Sequence, residues 1–164
     1  MALRLENLTD EVRRIMLVEI DRDISTRRLC LSECLSAIGQ LEYPSLLKEA
    51  AQTHDSAWLS AELDDRLRLN QMEGRRRAAG ALAEGEINRF YIRALCQKAV
   101  SDGIDHLIIC RARQVSDPRA DAEAMIGTAI SPVALYADLW KNIDVDTALS
   151  LPPGLNSGLS VRLP

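Results

Sequence analysis

The stretch from Ala81 to Arg113, ALAEGEINRFYIRALCQKAVSDGIDHLIICRAR, decides the fold class. Its first two thirds predict one long helix, Ala81 to Ser101, with Ile92, Leu95, Cys96 and Ala99 on a buried face and Phe90 or Tyr91 toward one edge. Asp102-Gly103 supplies a stop, because glycine accepts the left-handed conformation in which helices end. His106 to Arg113 reads as a strand: Leu107, Ile109 and Arg111 alternate with Ile108, Cys110 and Ala112. Its nearly unbroken apolar character predicts burial on both sides. One long helix feeding one strong strand, with few other strands in view, predicts an α-rich α+β domain with a small sheet.

Working toward the N-terminus, Arg75-Arg76-Arg77 and Gly80 mark residues 70–80 as a polar connection. Asp55 is placed to cap a helix from Ser56 to about Leu69. Tyr43-Pro44 opens a helix running to about Thr53, with proline in the first turn, where its missing N–H is harmless. Glu33 to Ile38 reads as a weak helix closed by Gly39, and Arg28 to Ser32 as a short extended piece. Thr9 caps the first helix. There Val12, Ile15, Met16, Ile20 and Ile24 form the apolar stripe, and Arg13, Arg14, Glu19, Arg22 and Asp23 the solvated face.

Toward the C-terminus, Gln114 to Asp121 is a loop and Ala122 to Ile130 is ambiguous. Ser131-Pro132 starts a short helix to about Lys141. Pro152-Pro153-Gly154 leads to an apolar end, Leu159-Ser160-Val161-Arg162-Leu163. The layout is a single mainly helical α+β domain over 1–150 and a Pro/Gly-led C-terminal strand or arm over 151–164.

Composition excludes several classes. Of 164 residues, 47% are apolar, enough for a real core, and only 4% are aromatic, so that core is aliphatic. No apolar run is long enough to span a membrane. Met1 to Asp10 is polar and predicts no secretory leader, which with the reduced cysteines points to the cytoplasm. Cys30, Cys34, Cys96 and Cys110 form no CxxC pair and sit among apolar neighbours, reading as buried reduced thiols, and His54 and His106 are the only histidines. No metal site and no cofactor is expected.

The net charge of -4 hides a local inversion. Residues 1–73 carry nine bases and fourteen acids; residues 74–120 carry nine bases and five acids. Arg75, Arg76, Arg77, Arg89, Arg93, Arg111 and Arg113, with Arg119, supply most of the basic segment. Guanidinium forks suit phosphates, so these residues are candidates for a phosphate or partner surface. Complementarity to the acidic first half, within the chain or between subunits, accounts for the same pattern.

Catalytic constellations are weak. Glu84 and Glu86 are two apart, so on a helix they diverge, and Glu86 with Arg89 reads as a simple i,i+3 salt bridge. Asp102, Asp105 and His106 lack a nucleophile elbow. Residues 154–158 lack the Lys-Ser/Thr and following helix of a phosphate loop. Trp58 and Trp140 read as core or interface anchors.

Two stretches, LAEGEINRFYIRALC from Leu82 to Cys96 and LPPGLNSGLSVRL from Leu151 to Leu163, together with the opening helix, resemble a family of small proteins of phage, prophage and bacterial genomes. The connection after Arg77 is shorter here than in that pattern. The resemblance implies a phage or mobile-element setting, in the host cytoplasm or the virion, and brings no chemistry with it. The expectation is a non-catalytic protein acting through protein–protein contacts, a virion component or assembly factor forming a homo-oligomer. In it the tail residues Leu159, Val161 and Leu163 add to a neighbour's sheet edge. The alternatives are nucleic-acid binding through the arginines of 75–119 and inhibition of a host defence system.

Overall fold

The computed structural model describes residues 3–69, 71–142 and 158–164. Six helices and three strands follow in the order α1 (Asp10–Ser25), α2 (Ala37–Thr53), α3 (Ser56–Asp64), α4 (Met72–Ser101), β1 (Leu107–Arg111), α5 (Ala120–Met125), β2 (Ala129–Ile130), α6 (Pro132–Lys141) and β3 (Leu159–Arg162) among the described residues. The fold is mainly helical α+β, as the sequence predicts. α4 is the axis: α1, α3 and α6 pack along it, and β3 lies against it.

Local chemistry sets the helix ends. The Thr9 hydroxyl accepts from Val12 N, Asp55 from Trp58 N and Ser131 from Ala134 N, all as expected of caps. At the far end of α4, Gly103 N–H reaches the Val100 carbonyl and Ile104 N–H the Ala99 carbonyl, a Schellman closure with glycine at its left-handed position. Arg13, expected in solvent, instead donates from Nη1 to the carbonyls of Ala51 (2.8 Å) and His54 (3.1 Å). It satisfies the open C-terminus of α2, where a cation is electrostatically favoured.

Several boundaries differ from the sequence reading. Gly39 does not end a helix. Ser36 caps α2 and accepts from Gly39 N, and the helix runs through Pro44. Gly39 is there for close approach: a Cβ at this position would lie 2.5 Å from the Arg66 carbonyl oxygen. α3 stops at Asp64 rather than Leu69, because Leu67 leaves to bridge Leu35. The connection expected over 70–80 is helix from Met72 on, so Arg75, Arg76 and Arg77 are helical. Arginine is a good helix former, and the small Ala79 and Ala83 are buried where α4 meets its neighbours.

The sheet has the order β2-β1-β3, antiparallel throughout, with Ile109 opposite Val161 and Leu107 opposite Ile130. Leu107, Ile109, Leu159 and Val161 belong to the same apolar cluster as Val12, Met16, Leu63 and Leu95. β3 is therefore built into the domain and does not stand off as an arm. The Leu159 carbonyl accepts from Asn88 Nδ2 at 2.8 Å, and Leu163 N–H donates to Asn7 Oδ1 at 2.9 Å. The Pro152-Pro153-Gly154 stretch, read as the lead into the C-terminal strand or arm, lies outside the described residues.

Candidate functional site

The arginines proposed for phosphate or partner binding are spread over α4, β1 and the loop after β1, and mostly face carboxylates. Arg93 is the extreme case. Its side chain is 0% exposed between α1 and α4. Nε and Nη2 donate to Glu19 Oε2 at 2.9 and 2.5 Å; Nη1 and Nη2 donate to Asp23 at 2.7 and 3.0 Å. Glu19 and Asp23 are themselves buried, 3% and 2% exposed, so the expectation that both lie on a solvated face is corrected. Burial works against the guanidinium charge, yet hydrogen bonds and charge from Asp23 and Glu19 carry the net shift upward.

α6 closes over this group. Tyr136 OH donates to Glu19 Oε2 at 2.9 Å and accepts from Arg22 Nη1 at 2.9 Å. Arg28 Nη2 donates to the Trp140 carbonyl at 2.5 Å. The Trp140 ring meets the guanidinium groups of Arg22, Arg28 and Arg93 at 4.3, 4.7 and 4.9 Å from its centroid. Trp140 is thus the anchor the sequence suggests, seated among arginines from α1, the α1–α2 link and α4.

The remaining candidates distribute as follows. Arg89 lies beside Glu86 at 3.6 Å, the i,i+3 pair expected from sequence, next to the buried Tyr43 phenol. Burial first, then the Glu86 carboxylate, pushes the Tyr43 ionisation well above its usual value. Arg113 holds Glu84 at 2.5 Å, and Arg111 holds Glu123. Arg75 lies 4.0 Å from Asp64, Arg77 pairs with Glu73 at 3.2 Å, and Arg76 is exposed. Leu159 and Val161 are buried and Leu163 is half-buried, all within their own chain.

The sequence reading missed the exposed apolar residues. Of the eight large apolar side chains exposed among the described residues, five are Leu31, Ile38, Leu41, Leu69 and Met72. They flank one junction, where residues 34–42 meet residues 66–69. There Ser36 N–H donates to the Arg66 carbonyl at 2.8 Å, and Arg68 N–H to the Cys34 carbonyl at 2.8 Å. Arg68 Nε reaches the Leu35 carbonyl at 2.7 Å, and Arg66 Nε reaches Glu42 at 2.5 Å. Ile38 and Leu41, 65% and 82% exposed, are three apart on α2 and share a face. The available signal was that Ile38 and Leu41 fall off the stripe that buries Tyr43, Leu47 and Ala50. A second apolar feature is a groove of about 190 Å³ between α4 and α6, rimmed by Val100 and Val133.

No disulfide joins the four cysteines. Cys96 and Cys110 are buried, and burial pushes their ionisation up to about 12 and about 11. Cys34, read as buried, is exposed because it sits in the turn before Leu35. Since the thiolate is the reactive form, a thiol reagent at pH 8 is expected to label Cys34 first. Cys96 and Cys110 follow only on unfolding. Peptide mapping after timed labelling reads this directly, and early modification of Cys96 would contradict its burial. His106 Nδ1 lies 2.5 Å from Asp105 Oδ1 at the exposed entry to β1. That contact holds the Asp105 carboxyl below its usual range. No group of three or more metal-ligating side chains is assembled among the described residues, and no helix there is long and apolar enough to cross a membrane. Set against family models, curated proteins and solved structures, the chain matches none.

Proposed function

We propose that this chain works through protein–protein contact rather than catalysis, as a phage or prophage virion component or assembly factor that self-associates. The observation that carries the reading is that five of the eight large apolar side chains exposed among the described residues, Leu31, Ile38, Leu41, Leu69 and Met72, fall on the two segments that the Leu35–Leu67 bridge joins. Single exposed apolar residues are ordinary, but several at one place mark an interaction surface. The phage setting rests on the resemblance of the Leu82–Cys96 and Leu151–Leu163 stretches and places the protein in the host cytoplasm or the virion.

Nucleic-acid binding by the arginines of 75–119 draws less support. Arg75, Arg77, Arg89, Arg93, Arg111 and Arg113 each face a carboxylate of their own chain. A phosphate would have to displace those partners, which offsets most of the gain from counterion release.

The test is a photo-cross-linking amino acid at position 41, with position 133 as the control, in cells carrying the neighbouring genes. Irradiation is expected to give a discrete adduct with a defined polypeptide from position 41 only. Equal, diffuse labelling from both positions would overturn the reading.

A further inference from the structure

We propose that Arg22 and Arg28, held against Trp140, bind a phosphate group, free or on a small monoester. The site is separate from the exposed apolar segments and does not depend on the contact reading above. Its basis is the charge placed around one ring. The guanidinium groups of Arg22, Arg28 and Arg93 lie 4.3, 4.7 and 4.9 Å from the Trp140 ring centre. Three cations gathered on one indole repel one another unless anions offset them. Arg93 has Glu19 and Asp23 on its own guanidinium. Among the described residues neither Arg22 nor Arg28 forms an ion pair with a carboxylate. The three cations and two carboxylates placed here therefore leave an excess of positive charge, and it sits on Arg22 and Arg28.

The polar contacts of the two arginines are few. Arg22 donates from Nη1 to Tyr136 OH at 2.9 Å, and Arg28 from Nη2 to the Trp140 carbonyl at 2.5 Å. Their other guanidinium nitrogens donate to nothing among the described residues, and Arg28 Nε is buried as well. A buried donor is ordinarily satisfied, so an acceptor from outside the chain belongs beside Arg28. Both guanidinium groups lie within 4.7 Å of one ring centre, near enough for a single anion to bridge them. The backbone is bent to bring Arg28 there. Arg27 has φ +56, alone among the described non-glycine residues, and Arg28 N–H and Leu29 N–H then both reach the Asp23 carbonyl, at 2.7 and 3.1 Å. Left-handed backbone at a bulky residue is strained, and such strain gathers at ligand sites. A carboxylate offers two coplanar oxygens, which one guanidinium fork takes up. A phosphate offers three in a tetrahedral array, which serves two forks arriving from different elements.

The experiment is calorimetric titration of the full-length chain with inorganic phosphate, adenosine monophosphate and acetate. The variants are Arg22→Gln and Arg28→Gln, with Arg76→Gln, an exposed arginine on α4, as the control. Circular dichroism confirms folding of each, and Arg22 is exposed, so its change leaves the core alone. The parent and Arg76→Gln are expected to bind one equivalent of phosphate. Arg22→Gln and Arg28→Gln are each expected to weaken binding by about 10-fold or more, the effect of losing charge-assisted hydrogen bonds. Acetate is expected to bind more weakly than phosphate. Tighter binding of adenosine monophosphate than of phosphate assigns the group to a nucleotide; equal or weaker binding assigns it to free phosphate. Absence of saturable binding at millimolar phosphate overturns the site and leaves water as the acceptor for Arg28. A loss in Arg76→Gln equal to that in the two site variants, or acetate binding as tightly as phosphate, overturns it too.

Discussion

Replacing Arg93 by methionine is expected to lower folding stability by about 3–5 kcal/mol, because it leaves two buried carboxylates without their counter-charge. Glu19 and Asp23 are almost wholly buried, and the Arg93 guanidinium is the only cation within hydrogen-bonding distance of both among the described residues. Arg22 reaches Glu19 only through the Tyr136 hydroxyl. The loss is not a measure of what the ion group contributes. Removing all three charges together, as Arg93→Met with Glu19→Leu and Asp23→Leu, is expected to restore stability to the parental value or above it, since the desolvation of all three groups disappears with them. Urea titration followed by tryptophan fluorescence reads both variants. Trp140 lies 4.9 Å from the guanidinium and reports the site itself. A single variant as stable as the parent would mean that water reaches the two carboxylates, contrary to the packing of α6 over them.

That group also shows where sequence reasoning reaches and where it stops. The stripe Val12, Met16 and Ile20 was legible from its spacing, and so were the caps Thr9, Asp55 and Ser131, because each depends on residues within one turn. Glu19 and Asp23 lie on the same stripe, at the spacing that continues Val12 and Met16, but their charge assigns them to water when α1 is read alone. Only the arrival of Arg93, 70 residues away from Asp23, makes their burial affordable. The same limit explains Gly39 and Pro44: both read locally as punctuation, whereas the close approach of the Arg66 carbonyl and the burial of Tyr43 and Leu47 decide the matter. Among the arginines of 75–113 the pair of Arg89 with Glu86 was legible, being three residues apart on one helix, whereas the partners of Arg75, Arg93 and Arg111, namely Asp64, Glu19 with Asp23, and Glu123, come from other elements and were not. The exposed residues were only partly legible: Ile38 and Leu41 fall off the buried stripe of α2, but Leu69 and Met72 flank the end of α3 and the start of α4, whose bounds the sequence misplaced.

Removing residues 159–164 is expected to abolish cooperative folding. β3 supplies Leu159 and Val161, 2% and 1% exposed, to the common core. Burial of each contributes roughly 1.5–3 kcal/mol, and their sum reaches the lower end of the roughly 5–15 kcal/mol that holds a typical domain folded, before the lost strand pairing is added. The deletion also strips β1 of the partner for its Ile108–Arg111 edge and leaves Asn88 and Asn7 without the backbone groups they bind. A graded version isolates the hinge into the strand. Gly158 has φ +58, and a Cβ there would lie 2.6 Å from the Arg113 carbonyl oxygen. Gly158→Ala is therefore expected to cost about 1–3 kcal/mol or more, from the positive φ and from the contact of the new Cβ with the Arg113 backbone together, with the strand still present. Thermal melts by circular dichroism separate the cases: no cooperative transition for the deletion, and a lowered but cooperative one for Gly158→Ala. A deleted chain that melts like the parent would place β3 outside the core and return it to the role of an arm for a neighbour's sheet. If the deletion does unfold the chain, loss of an oligomer in that variant carries no information about docking, and the contact surface must be sought in point changes at Ile38 and Leu41, which leave the sheet intact.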